Sequence, residues 1–257
     1  MIPYRDENET VRTPIATLAI IAANVLVWVL VQGAGSSYTL AASVCNYGLI
    51  PGELTLRATP GTGFPMGNGL ACVVDAGREP LHILTSMFLH GGWGHIIGNM
   101  WFLWLFGNNV EDSMGRLRFV AFYLLTGLAA AFAQVFTDPT SVYPMVGASG
   151  AISGVMGAYV ILYPRVRVYV LVPLFIIFTT IALPAWVLLG YWMLLQVVGG
   201  FGALGSAEGG VAFFAHVGGF IAGVVLIKLF ARPEYVAEHR AHHWHPRRQG
   251  FDRERWG

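Results

Sequence analysis

The feature that most limits how this chain can fold is the length of its uncharged apolar runs. From Ile15 to Val31 there is no charged residue, and a helix crossing a bilayer core of about 30 Å needs roughly 20 mainly apolar residues. Comparable runs recur along the chain, and charged residues make up only 11% of it, against about 25% in ordinary soluble domains. A soluble protein of this size would need a charged surface that these residues cannot supply. The expected class is therefore an all-α polytopic membrane protein. The formal net charge is +1, no basic stripe with interleaved aromatics is present, and no nucleic-acid partner is expected.

Six spans are read: Thr13–Gln32, Gly92–Asn109, Leu117–Phe136, Ser149–Tyr163, Leu183–Gly199 and Val211–Phe230. Residues 1–12 form an N-terminal tail, 13–231 the six-helix domain, and 232–257 a basic, His-rich tail expected to be disordered. A long loop, 33–80, follows the first span, and Leu81–Leu89 reads as interfacial. The segment 168–182 is apolar but broken by Pro173, with Pro184 just beyond, and is read as an interfacial or irregular stretch before span five. With six spans and both termini cytoplasmic, every one of the 15 Lys and Arg residues except Arg57 and Arg78 falls inside, as the positive-inside rule requires. Two cysteines, Cys45 and Cys72, fit no zinc spacing; a single bridge and two free thiols are both open. The polar start through Arg12 and the long run after it do not fit a signal peptide.

Polar residues within a span are costly and usually serve function. Four stand out: His95 and Asn99 on span two, Ser149 opening span four, and His216 on span six. His95, Ser149 and His216 each lie sixteen residues before a charged residue at the inner end, Glu111, Arg165 and Arg232 respectively. At about 1.5 Å per residue, each sits roughly 24 Å above the inner boundary and so below the outer surface. Asn99 is one turn deeper on the His95 face. Gly150, Gly154 and Gly157 on span four, with Ala215, Gly219 and Gly223 on span six, would let the two helices approach closely. Gly147 and Gly150 flank the serine, permitting a tight turn, and the serine amide at a helix start is a free donor. Singly, each of these residues has a plain reading as helix packing or a polar clasp. Together they place a nucleophile, a base and donors in one layer.

Four segments resemble the rhomboid family of intramembrane proteases. They are His90-Gly91-Gly92-Trp93-Gly94-His95-Ile96-Ile97-Gly98-Asn99-Met100, Val110-Glu111-Asp112, Gly147-Ala148-Ser149-Gly150, and Ala215-His216-Val217-Gly218-Gly219-Phe220-Ile221-Ala222-Gly223. The resemblance covers roughly residues 14–230 and implies a six-helix rhomboid-like bundle. It also implies Ser149 as nucleophile, His216 as general base, and His95, Asn99 and the Ser149 amide as the oxyanion site. Two departures stand out. Many members carry an aromatic one turn after the serine, stacked on the base histidine, where this chain has Ser153. Many carry a Trp-Arg pair in the first loop, where this chain has Glu79-Pro80.

With no Asp or Glu inside spans two to six, a Ser-His dyad is expected, acting through an acyl-enzyme on single-span membrane proteins near the outer face. No cofactor or metal is called for, and the tail cluster of His239, His242, His243 and His245 reads as part of a disordered basic segment near anionic lipid. The expected partners are transmembrane substrates and the bilayer itself. With no transit peptide or added soluble domain visible, the expected location is a bacterial plasma membrane. Two rivals remain: an inactive rhomboid-like protein that binds membrane clients, and a small transporter or channel with His95, Asn99 and His216 along its path.

Overall fold

The computed structural model describes residues 2–67, 69–174, 177–203 and 211–243. The chain is mostly helical. In order, the helices are α1 (Ile15–Leu30), α2 (Ser37–Tyr47), α3 (Pro51–Thr55), α4 (His82–Thr85), α5 (Trp93–Met114), α6 (Arg116–Thr137), α7 (Ser149–Leu162), α8 (Ala185–Ala203), α9 (Phe213–Phe230) and α10 (Pro233–His243). Among the described residues, α6, α8 and α9 are long and apolar enough to cross a membrane, and α1 and α7 are shorter apolar helices. Large apolar side chains such as Leu30, Leu117 and Phe136 face outward, an arrangement that suits lipid.

Helix α7 is the centre of the bundle. Nearly every residue from Gly150 to Leu162 is buried, as expected of a helix that is apolar or small on all sides. Its 14 residues span only about 21 Å, too short to reach both faces of a bilayer core of about 30 Å. Around it pack α5, α6 and α9. The break between α5 and α6 is one residue, Gly115, at φ 83°, a backbone region that a side chain disfavours.

The acidic pair at the end of α5 explains how the amino-terminal segment is held. Glu111 accepts from the amides of Ala16 (2.9 Å) and Thr17 (2.7 Å) and from the Thr17 hydroxyl, satisfying the open N-terminus of α1. Asp112 accepts from the amides of Val11 and Arg12, from the Arg12 guanidinium, and from Nδ1 of His239 at 2.7 Å.

Two features differ from the sequence reading, and a third decides a choice that it left open. First, the chain is not all-α. Two strands, β4 (Arg167–Leu174) and β5 (Ile177–Pro184), pair antiparallel, after β1 (Ile2–Asp6) and a smaller antiparallel pair, β2 (Gly63–Gly67) with β3 (Leu70–Val73). β1 joins the edge of β4 with Ile2 opposite Leu171 and Asp6 opposite Val168. Val168 and Val170 point into the core while Arg167 points out, the two-residue period of a half-buried strand. Second, residues 233–243, read as disordered tail, form α10, because buried His239 bridges Asp112 and Asn8. Residues 244–257, including His245, lie outside the described residues. Third, Cys45 and Cys72 are joined by a disulfide.

The first loop is fastened without the Trp-Arg pair. Leu49 and Met145 exchange backbone hydrogen bonds of 3.0 and 2.7 Å, Gly52 donates to the Ser141 carbonyl, and the Thr85 hydroxyl donates to the Tyr47 carbonyl. Gln32 closes the far end of α1, exchanging two 2.8 Å bonds with the backbone of His90.

Candidate active site

The site is assembled at the N-terminal ends of α5, α7 and α9. Ser149 opens α7 after Gly147, whose φ of 131° favours glycine. The Gly147 amide donates to the Ser86 carbonyl at 2.9 Å, which fixes the turn. A methyl built on Gly147 would lie 2.8 Å from His95 Nε2 and 3.5 Å from Ser149 Oγ. The missing side chain is thus the space between those two groups.

Glycine contacts set the approach of α7 and α9. A Cβ on Gly219 would lie 2.0 Å from the Gly150 carbonyl oxygen, one on Gly223 1.9 Å from that of Gly154, and one on Gly157 2.2 Å from that of Phe220. No real Cβ tolerates such distances. The pairs advance together along both helices, so α7 and α9 run parallel and their first turns meet. Gly150 and Gly154 themselves point their missing side chains at Ala130 and Thr126 of α6; it is their carbonyls that face α9.

At this junction His216 Nε2 lies 2.8 Å from Ser149 Oγ. On the other side of the ring, Nδ1 lies 2.7 Å from Oε1 of Gln196 on α8. Gln196 Nε2 faces the Trp192 carbonyl at 3.4 Å, which leaves Oε1 as the acceptor toward His216. Nδ1 then carries the proton, and Nε2 is free to accept the serine proton. Trp192 packs its ring 5.7 Å from the imidazole, tilted by 40°. Gln196 and Trp192 together do the orienting for which the sequence offered only Ser153. Ser153 is fully buried and donates to the Ser149 carbonyl at 2.6 Å.

His95 lies beside Gly147, and Asn99 is one turn further along α5. His95 Nδ1 accepts from the Gly91 amide at 3.2 Å, so its Nε2, nearest Gly147, bears the proton. Asn99 Nδ2 is buried and has no hydrogen-bond partner, an expense usually explained by function. The Ser149 amide, in the first turn of α7, has no intrahelical acceptor. A cavity of about 20 Å³ lies beside Ser149 among Gly147, Gly127 and Ala130, room for about one water.

The arrangement can activate a hydroxyl by proton transfer to an oriented imidazole and can offer donors to a developing oxyanion. The four polar residues singled out from sequence thus lie at the starts of α5, α7 and α9. Gln196 and Trp192 were not singled out. Gln196 is a polar side chain in an apolar span, a signal that could have found it.

Comparison with known proteins gives a match to the Rhomboid domain over residues 77–233. RHOMBOID-like protein 4 of Arabidopsis thaliana is 30% identical over 186 residues, covering 72% of this chain and 41% of that protein. Rhomboid-like protease 5 of Toxoplasma gondii is 32% identical over 152 residues, covering 57% and 16%. Rhomboid protease GluP of Bacillus subtilis is 41% identical over 76 residues, covering 30% and 14%. The matched part of this chain spans less than half the length of each of these relatives.

Proposed function

This chain belongs to the rhomboid family and is an integral membrane protein, and we propose that it is a serine endopeptidase that cuts single-span membrane proteins near the outer membrane face. The observation that carries this is the 2.8 Å contact between Ser149 Oγ and His216 Nε2, made by side chains from two separate apolar helices.

Ser149 attacks the peptide carbonyl as His216 Nε2 takes its proton, and Gln196 holds the Nδ1–H through the step. In this reading the oxyanion receives the Ser149 amide, His95 Nε2–H and Asn99 Nδ2–H, the last of which has no hydrogen-bond partner among the described residues. His216 returns the proton to the leaving amine, and water hydrolyses the acyl-enzyme by the reverse sequence. The water-sized cavity beside Ser149 admits no polypeptide, so substrate entry requires the surrounding elements to part. Helix α8 borders the site through Gln196 and Trp192.

Six spans with both termini cytoplasmic fit the arginine distribution. That orientation puts the Cys45–Cys72 loop on the side where disulfides persist, and it places the starts of α5, α7 and α9 toward the outer leaflet. A bacterial plasma membrane fits this assignment.

The test is cleavage of a labelled single-span substrate by the purified protein and by Ser149→Ala and His216→Ala, with fluorophosphonate labelling in parallel. Loss of cleavage in both variants, and of labelling in Ser149→Ala, is expected. Equal cleavage by all three proteins would leave the family fold standing without the protease assignment.

A further inference from the structure

At the opposite end of the molecule from Ser149, a cavity of about 340 Å³ opens where α5 and α9 end and α6 begins, with Arg12, Arg116, Arg118 and Arg232 in its wall. Its two acids are already committed. Glu111 is bound by the start of α1, and Asp112 by Val11, Arg12 and His239. Arg12 is consumed by Asp112 and Glu238. The other three guanidiniums meet no carboxylate among the described residues. Arg118 donates only to the Phe230 carbonyl, Arg232 only to the Tyr235 hydroxyl, and Arg232 Nε is buried with no partner at all.

Uncompensated positive charge in a concave site calls for an anion. The start of α6 adds to this: its cap, Gly115, has no side chain to satisfy the first-turn amides of Arg116, Leu117 and Arg118, and such amides favour phosphate. Guanidiniums pair with phosphate oxygens in bidentate fashion. Leu117, between the two arginines, is 87% exposed.

We propose that this cavity binds a phosphate group, carried by the headgroup of an anionic phospholipid in the adjoining leaflet or supplied free in solution. Basic recesses between the ends of membrane helices suit such headgroups, and the exposed Leu117 beside the opening favours the lipid.

The test uses the full chain in neutral detergent and reads thermal stability and bound lipid by native mass spectrometry, so that it does not depend on peptidase activity. Mixed micelles containing phosphatidylglycerol or phosphatidylcholine are compared, and sodium phosphate is titrated against sodium chloride at equal ionic strength. A saturable response to phosphatidylglycerol is expected, weakened about tenfold or more in R116Q/R118Q and retained in R116K/R118K. Both arginines are exposed, so these variants fold. R165Q/R167Q, with the same change in net charge away from the cavity, should bind as the parent does. A saturable response to inorganic phosphate alone, lost in R116Q/R118Q, assigns the site to free phosphate. Binding unchanged in R116Q/R118Q, equal loss in R165Q/R167Q, or no response to either ligand overturns the proposal.

Discussion

His216 is held from both sides: its Nδ1 lies 2.7 Å from Gln196 Oε1 while its Nε2 faces Ser149. The group that holds the far side of the imidazole is therefore a neutral amide from α8. A neutral acceptor fixes the tautomer without a full charge to stabilise the imidazolium. Gln196→Ala should lower kcat about tenfold, the worth of one ordinary hydrogen bond, with KM little changed. Gln196→Glu restores an acceptor and adds charge, which favours the imidazolium. The acid limb of its pH–rate profile should move to higher pH. Profiles for Gln196→Glu and the parent that superimpose would show that Gln196 does not act through His216.

The proposed oxyanion donors make a separable prediction. Asn99→Ala and His95→Ala each remove one donor, which typically costs about 2.7–4 kcal/mol in the transition state. A fall in kcat of about a hundredfold or more is expected, with the fold intact by thermal melting. Asn99→Ala also removes a buried, unpartnered amide, so its melting temperature should not fall as it would for a structural hydrogen bond. A lower Tm with kcat preserved would reverse the reading of Asn99.

Close approach of α7 and α9 is a condition for the Ser149–His216 contact. Gly223→Val would place a Cβ 1.9 Å from the Gly154 carbonyl oxygen, and backbone cannot yield as a flexible side chain does. Overpacking of this kind costs about 1–3 kcal/mol or more. Activity should fall out of proportion to the folded fraction, because forcing the helices apart separates nucleophile from base. Gly202→Ala, with open space around it, is the matched control and should behave as the parent.

How much of this was legible in the sequence depends on the range of the interactions. Apolar runs marked the helices within a few residues, because lipid crossing is a local demand on composition. The Gly219 and Gly223 face was visible for the same reason. The sheet built on β4 and β5 was missed because averaging over hydropathy hides alternation. Val166, Val168 and Val170 repeat at two-residue spacing and all are buried, a strand signature that was there to be read. Its third strand, Ile2–Asp6, pairs with residues more than 160 positions away, and nothing local announces that. The docking of α10 depends on His239 meeting Asp112 and Asn8, another long-range event. Gln196 was passed over although, like Asn99, it is a polar amide within an apolar span and needs a partner there.

The docked N-terminal strand carries a pH dependence. Asp6 is half-buried beside Tyr159 and Asn109, accepting from the Tyr159 hydroxyl at 2.5 Å and from Asn109 Nδ2 at 3.1 Å. Burial pushes its carboxyl up to about 6, against the opposing pull of the Tyr159 hydrogen bond. Between the unfolded value near 4 and the folded value near 6, the folded chain holds a proton that the unfolded chain has released. Stability contributed by this group is therefore greatest below about pH 4 and falls as pH rises through 6. A shift of about two units corresponds to at most about 3 kcal/mol. Asp6→Asn keeps an acceptor for Tyr159 and removes the titration. Between about pH 4 and 6 the melting temperature of the parent should fall relative to that of Asp6→Asn, the two curves lying closest at the acid end. Parallel curves across that range would mean that Asp6 ionises in the folded protein as it does in water, and that the amino-terminal strand is not seated against α7 as the Tyr159 contact requires.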